Sequence, residues 1–72
     1  MIIDKNPSID QDNKTITVKE NIDTSEQVDV VLNGMIALMQ DELDITDNSI
    51  SIIDDSGVDW STDNFVVIYV KL

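Results

Sequence analysis

Hydrophobic and polar positions follow strand-like rules in three stretches of the chain. "KTITVKE" (14–20) places Ile16 and Val18 on one face and Thr15, Thr17 and Lys19 on the other, which predicts a half-buried strand. "NSISIIDDSG" (48–57) alternates Ser and Ile before a turn at Asp55-Ser56-Gly57. "FVVIYVKL" (65–72) is continuously apolar, β-branched and aromatic, as expected of a strand covered on both faces. Residues 1–14 are weakly patterned; Pro7 and the Asp/Asn clusters suggest a short edge strand and a polar turn at Asp12-Asn13. "VDWSTDN" (58–64) reads as a polar loop.

The segment "DTSEQVDVVLNGMIALMQDEL" follows a different period. Wound at 100° per residue, Val28, Val31, Leu32, Met35, Ile36, Leu38, Met39 and Leu43 share an arc of about 160°. The opposite side carries Asp29, Asn33, Gln40 and Asp41, with the small residues Val30, Gly34 and Ala37. Thr24 with Gln27 fits a capping box, and Asp23 with Glu26 is a second frame for it. The pattern predicts an amphipathic helix ending near residues 40–43, because Glu42 projects into the apolar arc. The expected fold is α+β, one helix packed on a small antiparallel sheet of three to four strands in the order β-α-β-β, as a single domain over 1–72.

Charge complicates that picture. Fifteen acids face four lysines, with no Arg or His, for a net charge of -11. Such a balance favours disorder when hydrophobicity is low; here 42% of residues are hydrophobic and patterned, so a folded chain is expected. Four acids, Asp41, Glu42, Asp44 and Asp47, fall where the expected helix ends. Acids there oppose the helix macrodipole at about 0.3–1 kcal/mol each. No leader-like segment and no apolar run of about 18–20 residues is visible, which predicts a soluble, cytoplasmic protein.

The residue inventory narrows the chemistry. Without His or Cys there is no Ser-His or Cys-His pair and no zinc, haem or iron–sulfur site of the usual kind. With only Gly34 and Gly57 there is no Gly-rich phosphate loop, and four lysines make no basic patch for nucleic acid. Paired carboxylates could serve acid–base chemistry, but 72 residues leave little volume for a cleft. The expectation is a non-enzyme without a cofactor. "DQDNK" (10–14), "DITDNS" (44–49) and "DDSGVD" (54–59) offer oxygen ligands for Ca²⁺, although none has the EF-hand order. "DDSG" also invites comparison with acyl carrier proteins, but Ser56 lies in a turn between strand-like segments and does not open a helix.

No base occurs between Lys19 and Lys71, while Glu20 to Asp63 supplies twelve acids. Eight of them form the candidate partner-binding set: Asp41, Glu42, Asp44, Asp47, Asp54, Asp55, Asp59 and Asp63. A domain of this length is about 25–30 Å across, a span over which duplex DNA presents about 15–17 phosphates. Fifteen acids match that density, so the leading expectation is a charge mimic that competes with DNA for a basic protein. The base-free tract, the single helix and the closing strand "FVVIYVKL" together resemble the small acidic bacteriophage proteins that mimic DNA and inhibit the bacterial nucleoid protein HU. That resemblance implies a homodimer occupying the DNA-binding arms of HU in an infected bacterium. The alternative is a protein–protein adaptor or small structural subunit whose acids serve solubility. A covered second face on residues 65–72 separately suggests either dimerisation or packing by the N-terminal segment.

Overall fold

The computed structural model describes all 72 residues and contains eight strands. They are β1 (Ile2–Asp4), β2 (Ser8–Asp10), β3 (Thr15–Thr17), β4 (Asp29–Leu32), β5 (Ile36–Leu38), β6 (Leu43–Thr46), β7 (Ser49–Ile52) and β8 (Phe65–Tyr69). One turn of 3-10 helix, Gln40–Glu42, precedes β6. Strand accounts for 43% of the chain and no helix reaches seven residues, so the fold is nearly all-β and the α+β expectation is wrong. The strands form two antiparallel four-stranded sheets, β1-β8-β4-β5 (sheet A) and β2-β3-β7-β6 (sheet B).

The correction falls on residues 23–43. Val28, Val30 and Leu32 are buried while Asp29 and Val31 between them are half-buried, a period of two. Asn33 and Gly34 then turn the chain with φ of 55° and 69°, and the Met35 N–H donates to the Leu32 carbonyl at 3.1 Å. Positive φ at both central residues makes a hairpin turn of the primed kind, for which Asn-Gly is the favoured dipeptide. The turn pairs β4 with β5 at Val30↔Leu38, Val31↔Ala37 and Leu32↔Ile36. At the expected helix start, Asp23 Oδ1 accepts the Ser25 N–H at 3.0 Å and its hydroxyl at 2.6 Å. This local closure competes with helix propagation. The acids at 41 and 42 therefore oppose no helix C-terminus. They sit in the first turn of the 3-10 segment, and Glu42 is exposed, its Oε2 accepting the Met39 N–H at 2.9 Å.

The remaining strand expectations hold in outline. Ile16 and Val18 are buried, as are Ile50 and Ile52 of β7. The polar turn joins β2 to β3, with Lys14 at φ 55°. Strand β8 is buried on one side only: Phe65, Val67 and Tyr69 are in the core, while Val66 and Ile68 are half-buried. The N-terminal segment does not cover that second face; β1 pairs alongside β8 instead.

Thirteen residues form one core, drawn from the inner faces of both sheets and from Val18, Ile22, Val28 and Trp60. Trp60 stacks on Phe65 with ring centroids 5.3 Å apart and donates its indole N–H to Asp55 Oδ2 at 2.8 Å. Tyr69 packs in the core and its hydroxyl accepts the Glu20 N–H at 3.4 Å. No buried side-chain polar atom lacks a partner, and no acid is buried. The accessible surface is 4549 Å², close to the roughly 4,500 Å² expected of a monomer of this mass. The molecule measures 29 × 24 × 21 Å. No helix is long and apolar enough to cross a membrane.

Candidate interaction surfaces

The eight acids of the candidate set separate into two groups. Asp41, Glu42, Asp44 and Asp47 follow one another along the 3-10 turn, the edge strand β6 and the β6–β7 turn. Asp54, Asp55, Asp59 and Asp63 lie in the loop from β7 to β8. Five of the eight spend a carboxylate oxygen on their own fold. Glu42 holds the Met39 N–H, Asp54 the Ser56 N–H at 3.2 Å, and Asp55 the Trp60 indole. Asp59 accepts the Ser61 N–H at 3.0 Å and the Ser61 hydroxyl at 2.7 Å. Asp63 accepts the Asp59 N–H at 2.9 Å and the Asn33 side-chain amide at 3.1 Å. Asp41, Asp44 and Asp47 accept no side-chain hydrogen bond within the molecule.

These bonds account for the carboxylates that are more acidic than usual. The Trp60 indole holds the Asp55 carboxyl below its ordinary range, with Lys14 assisting at 3.6 Å. The Ser61 and Thr62 donors lower Asp59. Asp10, outside the predicted set, is lowered by Asn13 through its backbone and side-chain N–H groups and by the Asp12 N–H. Much of the Asp enrichment therefore has a local cause: a short carboxylate one or two residues from free backbone N–H groups closes a turn.

Two features escaped the sequence reading. The first is the outer face of sheet A. Cross-strand partners share a face, so its rows are Ile3–Ile68–Asp29 and Val66–Val31–Ala37. Asp29 is its only charge, and that carboxylate is held by the Gln27 side-chain amide at 3.2 Å. Ile3 is 54% exposed. The outer face of sheet B is made differently, from Ser8, Asp10, Thr15, Thr17, Ser49, Ser51, Asp44 and Thr46. The second feature is the free edge of sheet A at β5, flanked by Met35 (87% exposed) and Met39 (45%), with Ile36 at 55%. The adjacent Val30-Val31, the Asn33-Gly34 dipeptide and the uncharged run 30–40 were the sequence signals for both.

Two open depressions complete the surface. One of about 270 Å³ is lined by Ile2, Ile3, Asp4, Lys19, Glu20 and Tyr69. Another of about 260 Å³ is lined by Thr24, Gln40, Leu43 and Ile45. Nowhere do three acids converge as ligands for a metal ion, the Asp/Asn turns singled out for Ca²⁺ included. Comparison with family models, curated proteins and solved structures returned no match.

Proposed function

We propose that the chain is a small non-enzymatic assembly subunit, a protein–protein interaction module that associates through sheet A. The observation carrying this reading is that sheet A is apolar on both faces apart from Asp29 outside and Asp4 at the end of β1. Its inner face fills the core, while outside it Ile68, Val66 and Val31 are half-buried and Ile3 and Ala37 exposed, with Asp29 the one charge among them. An antiparallel sheet with one face in water ordinarily alternates apolar and polar residues, as sheet B does. The acids then have two duties. Several close the turns between strands, and together they give a net charge that keeps a chain with exposed apolar area soluble.

Sedimentation of the full chain at 0.05 and 1 M NaCl tests the reading. Species heavier than 8.1 kDa should persist at high salt, since apolar contact is not screened. Val66→Lys should abolish them with the fold intact by circular dichroism. A species of 8.1 kDa at every concentration and salt would refute the reading.

Charge mimicry is the second reading, supported by Asp41, Asp44 and Asp47, whose carboxylates have no partner in the molecule and follow one edge of sheet B. On that reading the chain competes with DNA for a basic protein such as HU in a phage-infected bacterium. Adding it to HU–DNA complexes should then free DNA at low salt and lose the effect steeply as salt rises. Neutralising Asp41, Asp44 and Asp47 together should remove the competition. No displacement at low salt would end this reading.

A further inference from the structure

A two-sheet fold of this kind has four free edges, here β1, β2, β5 and β6. An edge strand exposes unpaired backbone N–H and C=O groups, and soluble proteins commonly block such edges with charge. Three of the four edges follow that rule with one aspartate inside the strand: Asp4 in β1, Asp10 in β2 and Asp44 in β6. β5 has none. Its residues are Ile36, Ala37 and Leu38, and the charge-free run extends from Val30 to Gln40 in a chain of net charge -11. No other segment hydrogen-bonds to Ile36–Leu38 from the side away from β4. The edge is open, apolar and unblocked.

The sequence along this edge reads almost the same in both directions: Met35, Ile36, Ala37, Leu38, Met39. We propose that β5 is the seam of a two-fold symmetric homodimer, in which β5 of one copy pairs antiparallel with β5 of a second. A two-fold axis at Ala37 sets Ala37 opposite its own copy, Ile36 opposite Leu38, and Met35 opposite Met39. Every opposed pair is then apolar, similar in size and on the same face of the sheet, as cross-strand packing requires. An isologous contact demands self-complementarity of this kind. A foreign basic strand would find no acid on this edge to meet it. A second copy brings no like charge to the seam, whereas self-pairing at β1, β2 or β6 would bring aspartates together.

The pairing joins two four-stranded sheets into one of eight strands and makes their apolar outer faces continuous across Ala37. A standard interface covers about 800 Å² per partner, a little over a sixth of the 4549 Å² of this chain. Three paired residues do not supply that area alone, and the exposed side chains of Met35 and Met39 extend it. The proposal rests on the assembly reading and specifies its geometry.

Cysteine cross-linking tests it on the full chain, which has no cysteine of its own. Directly opposed residues in an antiparallel pair have Cα atoms about 4.5–5.5 Å apart, within the range a disulfide spans. Ala37→Cys should form a disulfide-linked dimer under mild oxidation more than tenfold faster than Thr46→Cys on the β6 edge. Ala37→Lys, which sets two like charges together on the axis, should leave a folded chain of 8.1 kDa by circular dichroism and sedimentation. Equal cross-linking rates, with an oligomer that survives Ala37→Lys, would overturn the β5 seam and leave the assembly reading standing. A monomeric wild-type chain would overturn both.

Discussion

The outer faces of the two sheets differ in what they show to water. Sheet B presents Ser, Thr and two aspartates over an inner face of Ile9, Ile16, Ile45, Ile50, Ile52 and Leu43. Sheet A presents Ile3, Ile68, Val66, Val31 and Ala37 with the single charge Asp29, over an inner face that includes Val30, Leu32, Phe65, Val67 and Tyr69. Folding alone needs only one apolar face per sheet. Apolar residues on the second face of sheet A contribute little to the monomer's core, and contact with another protein is what would use them.

Substitutions can break this contrast at decreasing cost. Inner positions should behave alike in both sheets. Ile50→Ala and Val67→Ala remove fully buried side chains, and Ile50→Ala should lower unfolding free energy by about 2–5 kcal/mol in urea titration. Val67→Ala should cost somewhat less, since it removes two side-chain carbons and Ile50→Ala three. The β4–β5 turn comes next. Gly34 sits at φ 69° with open space around it, so Gly34→Ala carries backbone strain alone, about 1–2 kcal/mol in the same titration.

Outer positions should separate the two sheets. Ser49→Lys on sheet B and Val31→Lys on sheet A should each change monomer stability by less than about 0.5–1 kcal/mol. Only Val31→Lys should alter sedimentation. If Ser49→Lys dissociates the assembly as effectively, the contrast between the faces has no functional content.

The smallest effect concerns acid. Asp55 has a depressed pKa in the folded chain because the Trp60 indole and Lys14 favour its charged form. A depressed carboxylate supports the fold fully above its unfolded pKa, and that support is lost as pH falls through the lower folded value. The Trp60 emission should therefore begin to shift only below the ordinary Asp range. In Asp55→Asn, which keeps an acceptor for the indole without a titrating charge, that acid-induced shift should be absent.

The same contrast explains which parts of the fold could be read from the chain. In β3 and β7 a polar outer face leaves the strand period visible in Thr15-Ile16-Thr17 and Ser49-Ile50-Ser51-Ile52. In β4 and β5 apolar residues on both faces fill the gaps, and Val28, Val31, Leu32, Met35 and Ile36 then also fit a helical arc. Asn33-Gly34 was the one local signal that decided between the periods, since a helix interior disfavours Gly and a primed hairpin turn favours it. The acidic candidates were legible as charges but not as turn closers. Which of them keep a free carboxylate depends on backbone N–H groups positioned only by the fold.

The central claim is that sheet A associates along its β5 edge and sheet B does not, and backbone amide exchange tests it most directly at one free edge of each sheet. Hydrogen exchange of Ile36–Leu38 in β5 and of Leu43–Thr46 in β6 should be followed as protein concentration is raised. Protection of β5 should grow with concentration while β6 stays unchanged. Concentration-independent exchange at both edges would contradict the account.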